Sequence, residues 1–299
     1  MSASPTPRLQ RPDANVEIRL VGDDGVKLAV RTHGDIGGPP LVFAHGFGQT
    51  RLAWSGSAER LAGVGFRCVL ADARGHGDSG WRADGDYAIE QFTTDLLQIA
   101  RYAGPNAVLV GASFGGLVGL LAQVDLGPLF RALVLVDVTP RWETAGVERI
   151  LAFMRAHPDG FESLADASQA ISDYLPHRRE PRSPERLRAL LVRQDNGRYR
   201  WHWDPRLLDA IAEGFERHQE RLLGAAARID VPTLLLSGSE SDVVSQTTIG
   251  EFLSLVPHAQ HVVVPRATHM VVGDRNEAFT DAVLTFVRSL GARRDSLNI

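Results

Sequence analysis

Short apolar runs recur along the chain with enough sequence between them for a helix. Leu41-Val42-Phe43-Ala44, Cys68-Val69-Leu70-Ala71, Ala107-Val108-Leu109-Val110 and Leu133-Val134-Leu135-Val136 are continuous and lack polar alternation. That is the pattern of strands covered on both faces by helices. Ala53 to Ala62, Ile89 to Ala103 and Leu117 to Val124 carry helical spacing between them, and the alternation resumes with Thr233 to Leu236, Glu251 to Val256, His261 to Val264 and Glu277 to Leu290. Ahead of these elements, Val16 to Leu20 and Val26 to Thr32 flank Gly22-Asp23-Asp24-Gly25, a turn that predicts an antiparallel hairpin. Strands alternating with helices at both ends of the chain predict one α/β domain built on a mostly parallel sheet.

The stretch from Arg141 to Arg217 interrupts this rhythm with charge clusters such as His177-Arg178-Arg179-Glu180, prolines, and the group Trp201-His202-Trp203. It reads as an inserted helical cap, because insertions in α/β sheets sit in loops at the strand ends where ligands bind. The expected division is a core over 16–140 and 218–290, a cap over 141–217, a flexible lead over 1–15 and a frayed tail over 291–299.

Composition narrows the function. A chain of 299 residues with 44% hydrophobic content can bury a substantial core, and 32 basic against 36 acidic residues give a net charge of -4. That balance lacks the basic excess that nucleic-acid binding requires. A single cysteine, Cys68, allows neither an internal disulfide nor a thiolate metal cage, and it reads as a small buried hydrophobe. No apolar run is long enough for a membrane span, and the first fifteen residues lack the apolar stretch of a secretory signal, so a cytoplasmic location without a membrane partner is expected.

Gly111-Ala112-Ser113-Phe114-Gly115-Gly116 stands between an apolar strand and a helix. In that context G-x-S-x-G predicts a sharp turn that presents the Ser113 oxygen at the sheet edge, with glycines where side chains would clash. The following helix N-terminus offers N–H groups to developing negative charge. His45-Gly46-Phe47-Gly48 ends the Leu41 to Ala44 strand, and its flexible turn can bring the Phe47 N–H beside the Phe114 N–H as a two-donor oxyanion hole. His45 is read as an anchor of that loop, and His269, beyond the strand His261 to Val264, as the base. His258 and His261 have H-x-x-H spacing but no third ligand nearby, so no metal is expected.

Three carboxylates can orient His269: Asp242, Glu240 and Asp137. All satisfy the order Ser, acid, His. Asp242 is favoured, because the strands preceding it and His269 are sequential and so expected to be neighbours. Asp137 has the alternative role of capping its own strand end. Trp142, Phe153, Trp201 and Trp203 supply apolar surface to the cap and are candidates for a substrate pocket, or else for cap packing.

With Ser113, Asp242, His269 and the His45-Gly46-Phe47 turn in this order, the sequence resembles the α/β-hydrolase superfamily over roughly Val16 to Leu290. The resemblance includes Asp72-Ala73-Arg74-Gly75-His76-Gly77-Asp78-Ser79, similar to the Gly-rich loop after that family's fourth strand, where Arg74 and Asp78 are expected to brace the loop. It implies an eight-stranded, mostly parallel sheet, a helical cap and no cofactor. The function expected is a serine hydrolase cleaving a carboxylic ester, thioester or lactone of a small acyl substrate through an acyl-enzyme. Ser113 in place of an aspartate disfavours dehalogenase and epoxide-hydrolase chemistry. Gly48-Gln49 after Phe47 departs from the perhydrolase and haloperoxidase branch, and Ala112 departs from the carbon–carbon bond hydrolases. A ligand-binding receptor of the same fold with weak turnover is the reading from another class.

Overall fold

Eight strands form one sheet in the order β1-β2-β4-β3-β5-β6-β9-β10 in the computed structural model, which describes residues 15–175, 187, 190–274 and 276–295. The strands are β1 (Asn15–Val21), β2 (Lys27–His33), β3 (Pro40–Ala44), β4 (Arg67–Ala71), β5 (Val108–Ala112), β6 (Ala132–Val136), β9 (Thr233–Gly238) and β10 (Gln260–Val264). β2 runs antiparallel to β1 and β4, as the hairpin turn predicts, and every other pairing is parallel. The parallel strands therefore end at a common edge, where His45, Ser113, Asp137 and Ser239 each follow a final strand residue. In open α/β sheets this edge is where ligands bind.

Both faces are covered, which explains the uninterrupted apolar runs. On one face Val42, Val69, Leu109 and Leu133 pack with residues of α2 (Ile89–Ala103) and α3 (Phe114–Asp125), among them Phe92, Leu96, Leu117 and Leu121. The alternate positions Leu41, Phe43, Leu70, Val110 and Val134 pack on the other face with Leu61 of α1 (Ser55–Gly63) and with Phe279, Val283 and Phe286 of α9 (Asn276–Asp295). The period of two along each strand thus feeds two cores instead of one core and solvent.

Between β6 and β9 lie α4 (Thr144–Arg155), α5 (Leu164–Tyr174), a two-stranded ribbon of β7 (Leu191–Arg193) and β8 (Tyr199–Trp201), and α6 (Leu207–Ala226). The insertion is therefore not purely helical. Its expected end at residue 217 falls inside α6, whose later residues Leu222, Ala225 and Ala226 are buried in the core beside α3. After β9 comes α7 (Gln246–Leu255), and α8 (Val271–Asp274) precedes α9. Two further boundaries differ from expectation. α3 begins at Phe114, because the glycines of its first turn hide the helical pattern, and α9 continues to Asp295 through most of the expected tail. Residues 1–14 of the expected lead and 296–299 of the tail lie outside the described residues, and no helix among those described is long and apolar enough to cross a membrane.

Cys68 is fully buried in β4, and burial pushes its thiol up to about 12. Because the thiolate is the reactive form, the native protein is expected to resist iodoacetamide at pH 8 and to take up one equivalent once unfolded. Mass spectrometry before and after denaturation checks this, and rapid native alkylation would contradict the burial.

Candidate active site

Ser113 follows β5 with φ of 46° and ψ of -120°, a strained conformation for a residue with a side chain. The flanking glycines show how the turn is tolerated. A Cβ on Gly111 would lie 2.7 Å from the Gly116 Cα, and one on Gly115 would lie 2.5 Å from the Ala44 carbonyl oxygen. The second approach packs the first turn of α3 against the end of β3, which brings the His45–Gly48 loop alongside the serine. A Cβ on Gly46 would stand 3.3 Å from that of Ser113.

His269 meets Ser113 from the other side, with its Nε2 3.1 Å from the serine Oγ. Its Nδ1 lies 2.8 Å from Oδ2 of Asp137, which has no solvent exposure. With the proton on Nδ1, the ring donates to the carboxylate and accepts from the hydroxyl. Asp137 takes two further bonds: the Gly238 N–H donates to Oδ1 at 2.7 Å and the Ser241 hydroxyl to Oδ2 at 2.6 Å. It adopts a φ of 49°, which turns the chain back at the end of β6.

The acid beside the histidine is therefore Asp137, and the expectation of Asp242 is corrected. Asp242 faces the cap, where it pairs with Arg149 of α4 at 2.5 Å, and Glu240 is exposed. The premise that β9 and β10 are neighbours holds, but the conclusion fails because of the loop after β10. That loop crosses directly over the end of β9. A Cβ on Gly238 would lie 2.3 and 2.6 Å from the carbonyl oxygens of Ala267 and Thr268, and the Glu240 N–H donates to Ala267 at 2.9 Å. His269 is thereby carried past β9 to the ends of β6 and β5. The signal for Asp137 in the sequence was a carboxylate ending a wholly apolar strand, which also fits a simple cap.

The loop of Phe47 is held by neutral histidines. His45 accepts from the Ala73 N–H at 2.9 Å and donates from Nδ1 to the Gly46 carbonyl at 2.8 Å, an anchoring geometry rather than that of a base. His76 accepts from the Gly48 N–H at 3.2 Å and donates to the Arg74 carbonyl at 3.1 Å. Beneath them the Asp72–Ser79 loop is braced: Arg74 donates to Asp95 at 2.6 Å and to Asp24 at 2.7 Å, and Arg51 bonds both Asp72 and Asp78.

The four cap aromatics separate. Phe153 stacks on Tyr174 at 4.2 Å, and Trp201 meets Phe161 edge-on at 5.2 Å, so both build the cap's own core. Trp142 packs against the main core. Trp203 lies 5.3 Å from the Phe47 ring and is the one set against the loop beside Ser113. Met154 was not anticipated, since a methionine at helical spacing reads as core. Its methyl group covers Gly48, where an added Cβ would approach it to 2.3 Å. His258 and His261 diverge, to the Val231 carbonyl and the Ser237 hydroxyl, and no group of three potential metal ligands occurs among the described residues.

Residues 41–282 match the profile of the alpha/beta hydrolase family. The chain is 30% identical over 265 residues to a 3-hydroxybutyrate-oligomer hydrolase from Cupriavidus necator, with 81% of this chain and 87% of the relative covered. It is 28% identical over 273 residues to a 2-(acetamidomethylene)succinate hydrolase from Mesorhizobium japonicum, covering 90% and 94%. A solved structure of E-2-(acetamidomethylene)succinate hydrolase superposes with a TM-score of 0.79 at 26% identity, over 92% of this chain and 99% of that one.

Two outcomes follow from this geometry. Asp137→Asn should lower kcat by about 10⁴, whereas Asp242→Asn should cost less than about tenfold, because it loosens one contact between cap and core. Ester turnover by the two variants checks this, and the reverse ranking would return the acid to Asp242. The second concerns acid stability. Burial lowers the pKa of His45 against the pull of nearby Asp72, holds His76 well below the ordinary range, and lowers His202 to about 4. Below the unfolded value near 6.5 the unfolded chain binds protons that the folded chain refuses, so stability should fall as pH drops from 6.5 toward 4. His202 alone contributes on the order of 3 kcal/mol to that fall. Melting temperatures from pH 7.5 to 4.5 should show it, with a shallower slope in His202→Gln.

Proposed function

The chain belongs to the alpha/beta hydrolase family, and from that premise we propose that it is a serine hydrolase cleaving a carboxylic ester through an acyl-enzyme. The observation that carries this reading is one imidazole bridging a strained serine and a buried carboxylate, at 3.1 and 2.8 Å. Ser113 Oγ attacks the ester carbonyl as His269 Nε2 takes its proton, and the same nitrogen returns the proton to the leaving alkoxide. Asp137 holds the ring with Nδ1 protonated and stabilises the imidazolium that forms. Water, deprotonated by His269, then attacks the acyl-enzyme and releases the acid.

Negative charge on the tetrahedral oxygen is assigned to the backbone N–H groups of Phe47 and Phe114. A donor in such a site contributes on the order of 3 kcal/mol. Phe47 and Met154, backed by the buried Trp203, make the adjoining surface apolar, which favours an uncharged acyl or alcohol group over a dicarboxylate. The relative named as a 3-hydroxybutyrate-oligomer hydrolase and a mouse sn-1-specific diacylglycerol lipase, 28% identical over 272 residues, are consistent with that preference.

Ser113→Ala should lower kcat by about 10⁵ to 10⁶. A fluorophosphonate should modify Ser113 alone and abolish turnover of p-nitrophenyl esters graded by acyl length. Labelling of another serine, or turnover by Ser113→Ala, would defeat the reading. Stoichiometric acylation without release would replace hydrolysis by a ligand-binding role.

A further inference from the structure

Gly48 closes the turn that carries Phe47, and both of its backbone polar groups end on histidines. Its N–H donates to His76, and its carbonyl accepts from His202 Nε2 at 3.2 Å. The φ of 72° at Gly48 leaves the turn open to other conformations unless such contacts fix it. His76 belongs to the loop after β4, whereas His202 comes from the cap, immediately after β8.

The orientation of the His202 ring is over-determined. Its Nδ1 accepts from the Gly77 N–H at 2.8 Å, which leaves the proton on Nε2 and makes that nitrogen the donor to Gly48. The backbone on both sides is also tied: the His202 N–H donates to Leu190 at 3.1 Å and the Asp204 N–H to Gly75 at 2.8 Å. Asp204 in turn accepts from the Tyr87 hydroxyl at 2.7 Å. At 4% exposure the ring has little water to substitute for either bond. Its low affinity for a proton, a result of burial, keeps Nδ1 available as an acceptor.

We propose that His202 is a positioning residue of the hydrolytic reaction, a cap side chain that orients the Phe47 N–H toward the developing oxyanion by holding the Gly48 carbonyl. This rests on the reading of Ser113 as the nucleophile. The cap then contributes to the transition state through the loop beside Ser113. A displacement near 1 Å at such a donor costs about 10²-fold in rate, the scale also seen when a donor is removed.

The two ring nitrogens have separable tasks, which gives the test. In His202→Gln the amide can take the place of Nε2 and donate to Gly48. In His202→Asn the shorter amide takes the place of Nδ1 and keeps only the bond from Gly77. With an uncharged p-nitrophenyl ester, and kcat expressed per Ser113 titrated by fluorophosphonate to correct for unfolded chains, His202→Asn and His202→Ala should lose about 10² in kcat with KM changed less than about threefold. His202→Gln should stay within about fivefold of the parent. Affinity for an alkyl trifluoromethyl ketone, whose adduct places an oxyanion in the hole, should fall in step with kcat. If His202→Ala does not fold, the Gln and Asn variants carry the comparison. Equal losses in those two, or a loss confined to KM or melting temperature, would overturn the role. Turnover by Ser113→Ala would defeat the underlying reading of the site, whereas Ser113-dependent turnover with an unchanged kcat in His202→Asn would remove His202 alone.

Discussion

The carboxylate of Asp137 has no access to water, and leaving such a group without partners inside a protein costs several kcal/mol. It needs donors on every side, and the local architecture supplies them. The N–H of Gly238 and the hydroxyl of Ser241 come from the end of β9 and the loop after it, and the imidazole of His269 comes from the loop after β10. That requirement fixes the loop after β10 in its path over Gly238. It also sets the histidine tautomer, since only a ring with its proton on Nδ1 can donate to the carboxylate and still accept from Ser113.

On the opposite side of the serine, order comes from uncharged imidazoles. His45, His76 and His202 each accept one backbone N–H and donate to one backbone carbonyl, so each ring works as a spacer between two loops that have no sheet to hold them. A lysine or carboxylate could not do this, since it offers only donors or only acceptors. The ionic network of Arg51, Arg74 and their aspartates runs from the interior out to Asp78 and Asp24 and stiffens the loop on which the histidines rest.

The core strands, the serine turn and the histidine that meets it were legible in the sequence because each is a local pattern. An apolar run announces a strand sealed on both faces, and glycines around Ser113 announce a backbone that other residues would obstruct. The acid was not legible, since its identity depends on how far the loop after β10 travels. That distance is set by Gly238 lacking a side chain, a contact between residues nearly thirty positions apart. Likewise, Trp201-His202-Trp203 signalled a pocket by its aromatics, whereas the histidine between them bonds the loop beside Ser113 at Gly48 and the loop after β4 at Gly77. Trp201 packs in the cap's own core, whereas Trp203 and His202 both meet the turn that carries Phe47 and Gly48.

The cap is joined to the core unequally at its two ends. The outgoing chain is held by the pairing of Arg149 with Asp242 and a backbone bond from Glu143 to Val243, both outside the serine's immediate surroundings. The returning chain, from His202 to Arg206, is bonded into the loop beside Ser113 and into the loop after β4 that supports it. As a unit of recombination, then, the insertion is not a cassette with interchangeable ends. A graft that exchanges α4, α5 and the ribbon leaves the returning segment in place, whereas a crossover placed after Asp204 brings in a foreign residue opposite Gly48. Variation in substrate range by cap exchange is therefore compatible with this scaffold only where the returning crossover falls before His202.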